Sequence, residues 1–235
     1  MMDELHTAHT ALARACAGEH GEDPDNPETV QAMQIALHLP KTDPPARSDL
    51  LAAAARGVVK VCLDTRFLDS LRPWYDHRIR KVARRARNKA WRDVQNLPGV
   101  TVDDSGAQAR VFPPSAVRDV HPAISKLQIG HTDLPYDEPG PADEACPVLY
   151  IDRDLDMTAG KAAAQAGHGS MLLAGAMPFE WVQKWAAADF PLVVREVPRA
   201  EFNRHCVDDG AVVVRDAGFT EIAPNSATVV AVPGR

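Results

Sequence analysis

In the segment Met157-Thr158-Ala159-Gly160-Lys161-Ala162-Ala163-Ala164-Gln165-Ala166-Gly167-His168, the residues able to do chemistry stand out against alanine and glycine. On a helix Lys161, Gln165 and His168 fall at i, i+4 and i+7, so one face presents an ammonium, an amide and an imidazole in a row. Small residues elsewhere let such a helix lie close on a sheet. A start just after a strand turns its first-turn N–H groups and Lys161 toward an anion, the chemistry of a phosphate or oxyanion site. The plainer alternative is an alanine-rich packing helix with a solvated polar face. A second cluster, Asp216-Ala217-Gly218-Phe219-Thr220-Glu221-Ile222-Ala223-Pro224, sits between two strand-like runs. Asp and Gly suit a turn there, but its pairing with the helix falls at the sheet edge where α/β folds hold ligands. A triad of Ser170, His168 and Asp216 is poor, because Ser170 lies two residues from His168 and points away from it on a helix. His6, His9, Cys16 and His20 share one stripe if the first helix continues. At the helical rise that stripe spans ~21 Å, so all four cannot hold one ion, and surface or core histidines are the plainer reading than a His6/His9 metal pair.

These groups need elements to carry them. From residue 148 onward the pattern alternates: strand 148–151, helices 159–177 and 179–188, strand 192–197, helix 199–207, and strands 211–214 and 228–232. That is a helix-covered α/β sheet. The first half reads as mainly helical, with apolar residues near a period of 3.6 over 3–17, 27–39 and 49–61 and loops at 21–27 and 40–48. Leu71, Tyr75, Ile79, Val82, Ala86 and Ala90 continue the period, which predicts one long helix with arginines around the rest of it. A β-hairpin is expected over 100–112, and a short segment around 124–129. Residues 133–147 carry prolines at 135, 139, 141 and 147 and five acidic side chains, and read as an extended linker that pairs with nothing. The expected organisation is therefore 1–132, a helical and partly basic accessory domain; 133–147, the linker; and 148–235, the α/β domain. No internal repeat is visible in the sequence.

The 235 residues carry 26 basic and 32 acidic side chains, a net charge of −6, and 45% are hydrophobic. Disorder, collagen and a disulfide scaffold are excluded. The longest apolar run, 171–179, is too short to span a membrane. The N-terminus lacks a signal-peptide pattern and the cysteines at 16, 62, 146 and 206 are scattered, so the expectation is a cytoplasmic protein with unpaired thiols. Charge is segregated: residues 56–95 hold 12 basic and 4 acidic side chains, whereas 145–235 hold 8 and 11. An acidic α/β domain is poorly equipped to hold a polyanion, so Arg84, Arg85 and Lys89 of the basic block are candidate nucleic-acid contacts. A solvated face or a partner-binding helix is the alternative.

Gly160-Lys161, then Ala163-Ala164-Gln165-Ala166-Gly167-His168, then Asp216-Ala217-Gly218 with Thr220 and Thr228 resemble the type 2 (archaeal and eukaryotic) peptidyl-tRNA hydrolases. The resemblance runs over residues 146–234 and includes element order. It implies a mixed-sheet domain that cleaves the ester between a peptide and the 3′ end of tRNA, without metal or organic cofactor. It also implies that Lys161, Gln165, Asp216, Thr220 and His168 do the chemistry, with Gly160, Gly218 and Glu221 at the substrate. tRNA is then the partner, no membrane is involved, and a homodimer stays open. The chain departs from the family where a second lysine usually stands, at Ala159, where a glutamine usually follows the threonine, at Glu221, and more mildly at Asn225 for glycine. Those departures leave two other readings: a non-catalytic tRNA- or protein-binding module on the same fold, and an acyl-tRNA-dependent transferase.

Overall fold

The computed structural model describes residues 2–18, 21–23, 25–141, 143–216, 223 and 225–234. Helix α1 (Met2–Ala17) is followed by strand β1 (Gln31–His38), helices α2 (Arg47–Cys62) and α3 (Leu68–Tyr75), strand β2 (Lys81–Ala86), helix α4 (Asn88–Val94) and the hairpin of β3 (Val100–Asp104) with β4 (Ala107–Val111). Strand β5 (Ser115–Ala116) and the single turn α5 (Pro122–Ser125) precede a largely irregular stretch. Then come β6 (Val148–Asp152), α6 (Ala159–Ala176), α7 (Phe179–Ala187), β7 (Val193–Val197), α8 (Arg199–His205), β8 (Val212–Arg215) and β9 (Ala227–Val232). The fold is α/β, with two mixed sheets.

The mainly helical expectation for the first half is corrected in two places. Residues 27–39 contain β1, not a helix. This strand is central, paired on both edges and buried along nearly its whole length, so its sequence lacks the alternation that marks a half-exposed strand. The long basic helix is instead three elements, with Leu71 and Tyr75 in α3, Val82 and Ala86 in β2, and Ala90 in α4. Within β2 burial alternates from Lys81 to Arg84, the period of a strand.

The sheets have strand orders β2-β1-β4-β3 and β7-β6-β9-β8. In each, the first strand is parallel to the second and antiparallel to the fourth. The element order is the same too: strand, two helices, strand, short helix, two strands. A repeat that the sequence does not display is thus present in the fold. A parallel pair needs a crossover long enough to return over the sheet, and α2 and α6 supply the two crossovers.

Helices α2 and α6 form the middle layer. α2 rests on β3 and β4 and reaches β7, while α6 rests on β6, β8 and β9 and reaches β2. Both helices are rich in buried small residues, Ala52, Ala53, Ala54 and Ala55 on α2 and Ala162, Ala163 and Ala166 on α6, and the two helices pack on each other. Ser170 Oγ donates to the Ala55 carbonyl across the contact at 2.8 Å. One hydrophobic core runs from Ala8 through both helices to Ala231. Charge also ties the halves together: buried Arg47 makes a bidentate pair with Glu196 at 2.6 and 2.8 Å and donates to the Met157 carbonyl.

The stretch 133–147 is irregular among its described residues, but it does not lie unpaired as expected. Ser48 N and Oγ donate to Asp137, Arg47 donates to the Leu134 carbonyl, and Tyr136 Oη donates to Asp156. The four cysteines are free thiols. No helix among the described residues is long and apolar enough to cross a membrane.

Gly167 is a point of close approach of α6 to α2, since a Cβ there would stand 2.8 Å from Val58 Cγ2. Alanine in place of an interior helical glycine ordinarily stabilises by up to about 1 kcal/mol. Here Gly167→Ala is expected to destabilise by about 1–3 kcal/mol through overpacking, measured by urea unfolding. Adding Val58→Ala should return part of the loss.

Candidate functional site

The loop after β6 ends at Thr158, whose hydroxyl accepts from Lys161 N at 3.2 Å and starts α6. From there Lys161, Gln165 and His168 follow one another along the helix, and all three line one cavity of about 350 Å3. Asp216 enters from the end of β8, fixed through its backbone by Ser226 and Asn225 across the β8–β9 turn. Lys161 Nζ lies 2.6 Å and Gln165 Nε2 2.7 Å from the same oxygen, Asp216 Oδ2. Thr228 Oγ1 of β9 donates to Gln165 Oε1 at 2.7 Å, which sets the amide so that its nitrogen faces the carboxylate. The chain of contacts is Thr228, Gln165, Asp216, Lys161, with Thr228, Gln165 and Asp216 buried. Such a network holds a carboxylate and an ammonium in one geometry beside a cavity, which is the equipment for orienting a water and meeting negative charge.

The expected residues do not all arrive in the same role. His168 lines the cavity but turns Nδ1 to Lys81 Nζ, 3.0 Å away on β2. Its imidazole is held well below the usual histidine range, first by burial and then by the cations of Lys81 and Lys161. Gly160 also lines the cavity, yet its N–H donates to Thr132 Oγ1 at 2.9 Å. With the Lys161 N–H taken by Thr158, these two first-turn amides have partners within the protein, and of the first-turn groups expected to face an anion Lys161 is the one that lines the cavity with its side chain. Ala159 is fully buried, so this position lies in packing and not along an open substrate path. Ser170 bonds to α2, which rules out the triad. Gly218, Thr220 and Glu221, together with the rest of 217–222 and Pro224, lie outside the described residues.

The basic block contributes differently from the expectation. Arg84 donates to Gln34 Oε1 and to the carbonyls of Ser125 and Leu127. Arg85 reaches the His131 carbonyl and Gln128 Oε1. Lys89 pairs with Asp93, its side chain 80% exposed. None of these three lines the cavity; Arg78, Ile79, Arg80, Lys81, Val82 and Ala83 do. The charge run itself was the available signal for this wall, and reading the segment as a helix hid which end of it turns inward. The histidines of α1 are engaged elsewhere: His9 Nε2 lies 3.0 Å from the Ala174 carbonyl, and His6 packs on Phe179. His20 lies outside the described residues. No group of three metal-ligating side chains occurs among the described residues.

The Thr228 hydroxyl is the outermost link that positions the amide. Thr228→Val keeps the shape and leaves Gln165 Oε1 buried without a donor, a loss of about 1–3 kcal/mol. Denaturant unfolding should show that loss, and Thr228→Ser should recover most of it.

Comparison with known proteins assigns this half of the chain. The family model described as Peptidyl-tRNA hydrolase PTH2 matches residues 146–235. Peptidyl-tRNA hydrolase of Sulfurisphaera tokodaii is 30% identical over 98 aligned residues, covering 36% of this chain and 81% of that protein. The corresponding protein of Aeropyrum pernix is 35% identical over 97 residues, covering 36% of this chain and 78% of its own length. Through β6 to β9, and the network those strands and α6 assemble, the chain belongs to the peptidyl-tRNA hydrolase family PTH2.

Proposed function

We propose that the chain hydrolyses the ester bond of peptidyl-tRNA or N-blocked aminoacyl-tRNA, releasing the acyl group and free tRNA. The observation that carries this reading is the contact of Lys161 and Gln165 with one oxygen of Asp216 at the wall of the cavity. In this reading Asp216 orients the attacking water and assists its deprotonation. Lys161 meets the charge that develops on the ester oxygen or on a phosphate. Gln165 and Thr228 hold the carboxylate in its working orientation. The resemblance to the family adds Thr220 to the catalytic residues and Gly218 to the substrate contacts, with Glu221 standing at the substrate where the family usually has glutamine, and Gly160 supports the site by letting Thr132 approach the helix start.

tRNA contact follows from the same reading, and the cations beside the cavity, Arg78 and Arg80, are better placed for it than Arg84. Arg85 and Lys89 offer further phosphate contacts on the surface of the amino-terminal half. Neutralising Arg85 and Lys89 together should weaken tRNA binding and reduce the slope of log K against log salt by roughly 0.7–0.9 per lost contact. An unchanged slope removes both residues from the interface.

The chemistry is tested by release of the blocked amino acid from N-acetyl-aminoacyl-tRNA by the full chain. Turnover is expected to be unaffected by EDTA. Lys161→Ala and Asp216→Asn should each slow it by about 10²–10³ with the circular dichroism spectrum unchanged. Binding of acyl-tRNA by the wild-type chain without hydrolysis would replace the proposal with a binding module.

A further inference from the structure

Lys81 is a charged group in the cavity that the reading above does not use. It is only 8% exposed, and it comes from the amino-terminal half, outside the residues that match the family. Among the described residues its ammonium touches no carboxylate: Nζ lies 3.0 Å from His168 Nδ1, 3.4 Å from Met171 Sδ and 4.9 Å from the centre of the Trp74 ring. A buried charge with soft partners and no counter-ion among the described residues is costly, and such a charge is kept where it has a task.

Both halves are shaped around it. A Cβ on Gly167 would stand 3.4 Å from Lys81 Cδ, so α6 presents a glycine where the lysine stem passes. The repeat in the fold shows what the other half has in the equivalent place. Counting from the residue before each helix, Asp49 of α2 stands where Lys161 stands in α6, Ala53 where Gln165 stands, and Arg56 where His168 stands. Arg56 reaches across to Asp189, just ahead of β7, and to Asp104. In each half, then, this helix position meets a charge from the other half, but only in α6 does the helix carry the lysine, the glutamine and the histidine that line the cavity.

We propose that Lys81 is a positioning residue of the active site, lent to it by the amino-terminal repeat, and that it holds His168 as the Nε2–H tautomer with that N–H offered to the substrate in the cavity. An ammonium has three N–H donors and no lone pair, so a nitrogen that bonds to it must be the acceptor. His168 Nδ1 is therefore bare, its proton sits on Nε2, and Nε2 has no protein acceptor among the described residues. The imidazole then works as a neutral donor to the ester carbonyl or to the leaving 3′ oxygen. This role rests on the proposed ester hydrolysis; the tautomer does not.

The groups around the ammonium leave it charged at neutral pH. Cys16 of α1 and Cys62 of α2 are pushed up by burial to about 12 and about 11, and Tyr75 of α3 well above its usual value, so none is an anion there. On α6, His168 stays neutral. Burial brings Lys81 down to about 8. Below that value the ammonium enforces one tautomer. Above it the neutral amine can accept as well as donate, and the constraint is lost.

The test uses the full chain, labelled with 15N-histidine, as wild type and as Lys81→Met, with His168→Asn to assign the signal. His168 should give the Nε2–H pattern of shifts in the wild type at pH 7 and a mixture in Lys81→Met. With N-acetyl-aminoacyl-tRNA, Lys81→Met should lower kcat on the order of 10²-fold with KM little changed, the scale of a misplaced catalytic group. It should also abolish the fall in wild-type kcat above pH 8. Because the folded state depresses the lysine pKa, the buried charge opposes folding at pH 7 and relents as pH rises past 8. Lys81→Met should thus raise Tm at pH 7 while activity falls. The same tautomer in both proteins, or the Nδ1–H form in the wild type, overturns the proposal, as does a variant that loses activity and Tm together. A wild type that shows the expected tautomer and hydrolyses no ester leaves the lock standing and removes the proposed function.

Discussion

The molecule depends on the crossing of α2 over α6. Two helices can share a middle layer between two sheets only if their axes come close, and closeness is set by the side chains between them. Buried alanines in both helices, with Gly167 lying close against Val58, meet that demand. Larger residues would bury more apolar area but would push the sheets apart. Everything at the site follows from the short separation, because it places the end of β2 within hydrogen-bonding reach of the last polar residue on the face of α6.

A middle layer of alanine buries little area per residue, so specificity has to come from elsewhere. It comes from polar links that span the halves. Arg47 is bidentate to Glu196, Ser170 donates to Ala55, and the Thr132 hydroxyl accepts from the amide of Gly160. Each has a defined partner and a defined angle, which an apolar contact lacks. The stretch after residue 132 takes part as a strap, its side chains and carbonyls used by Ser48 and Arg47.

The carboxyl-terminal half was legible in the sequence because its strands are short β-branched runs and its long helix is punctuated by a Thr cap and a Pro stop. The polar face of that helix was legible for the same reason: Lys161, Gln165 and His168 are conspicuous among alanines. What escaped was in the first half. Strand β1 mixes Gln, Met, Ala and Leu and is buried on both sides, so no period of two survives. In β2 the arginine stems pack while their heads find carbonyls, and the charge mimics a solvated helix. The hydroxyl of Thr132 could not have been foreseen on the Gly160 amide, since it arrives from a segment with no pattern at all. The fold repeat escaped as well, because α2 keeps the alanines of its counterpart and none of its chemistry.

Two repeats in one chain also change how the site is assembled. Were the wall of the cavity on a separate polypeptide, the fraction of complete sites would rise and fall with protein concentration. Covalent connection replaces that dissociation constant with an effective concentration set by the strap between the halves. The site is then complete at any dilution, in a ratio of one wall to one catalytic helix, and the first repeat is relieved of the need to keep a working site of its own.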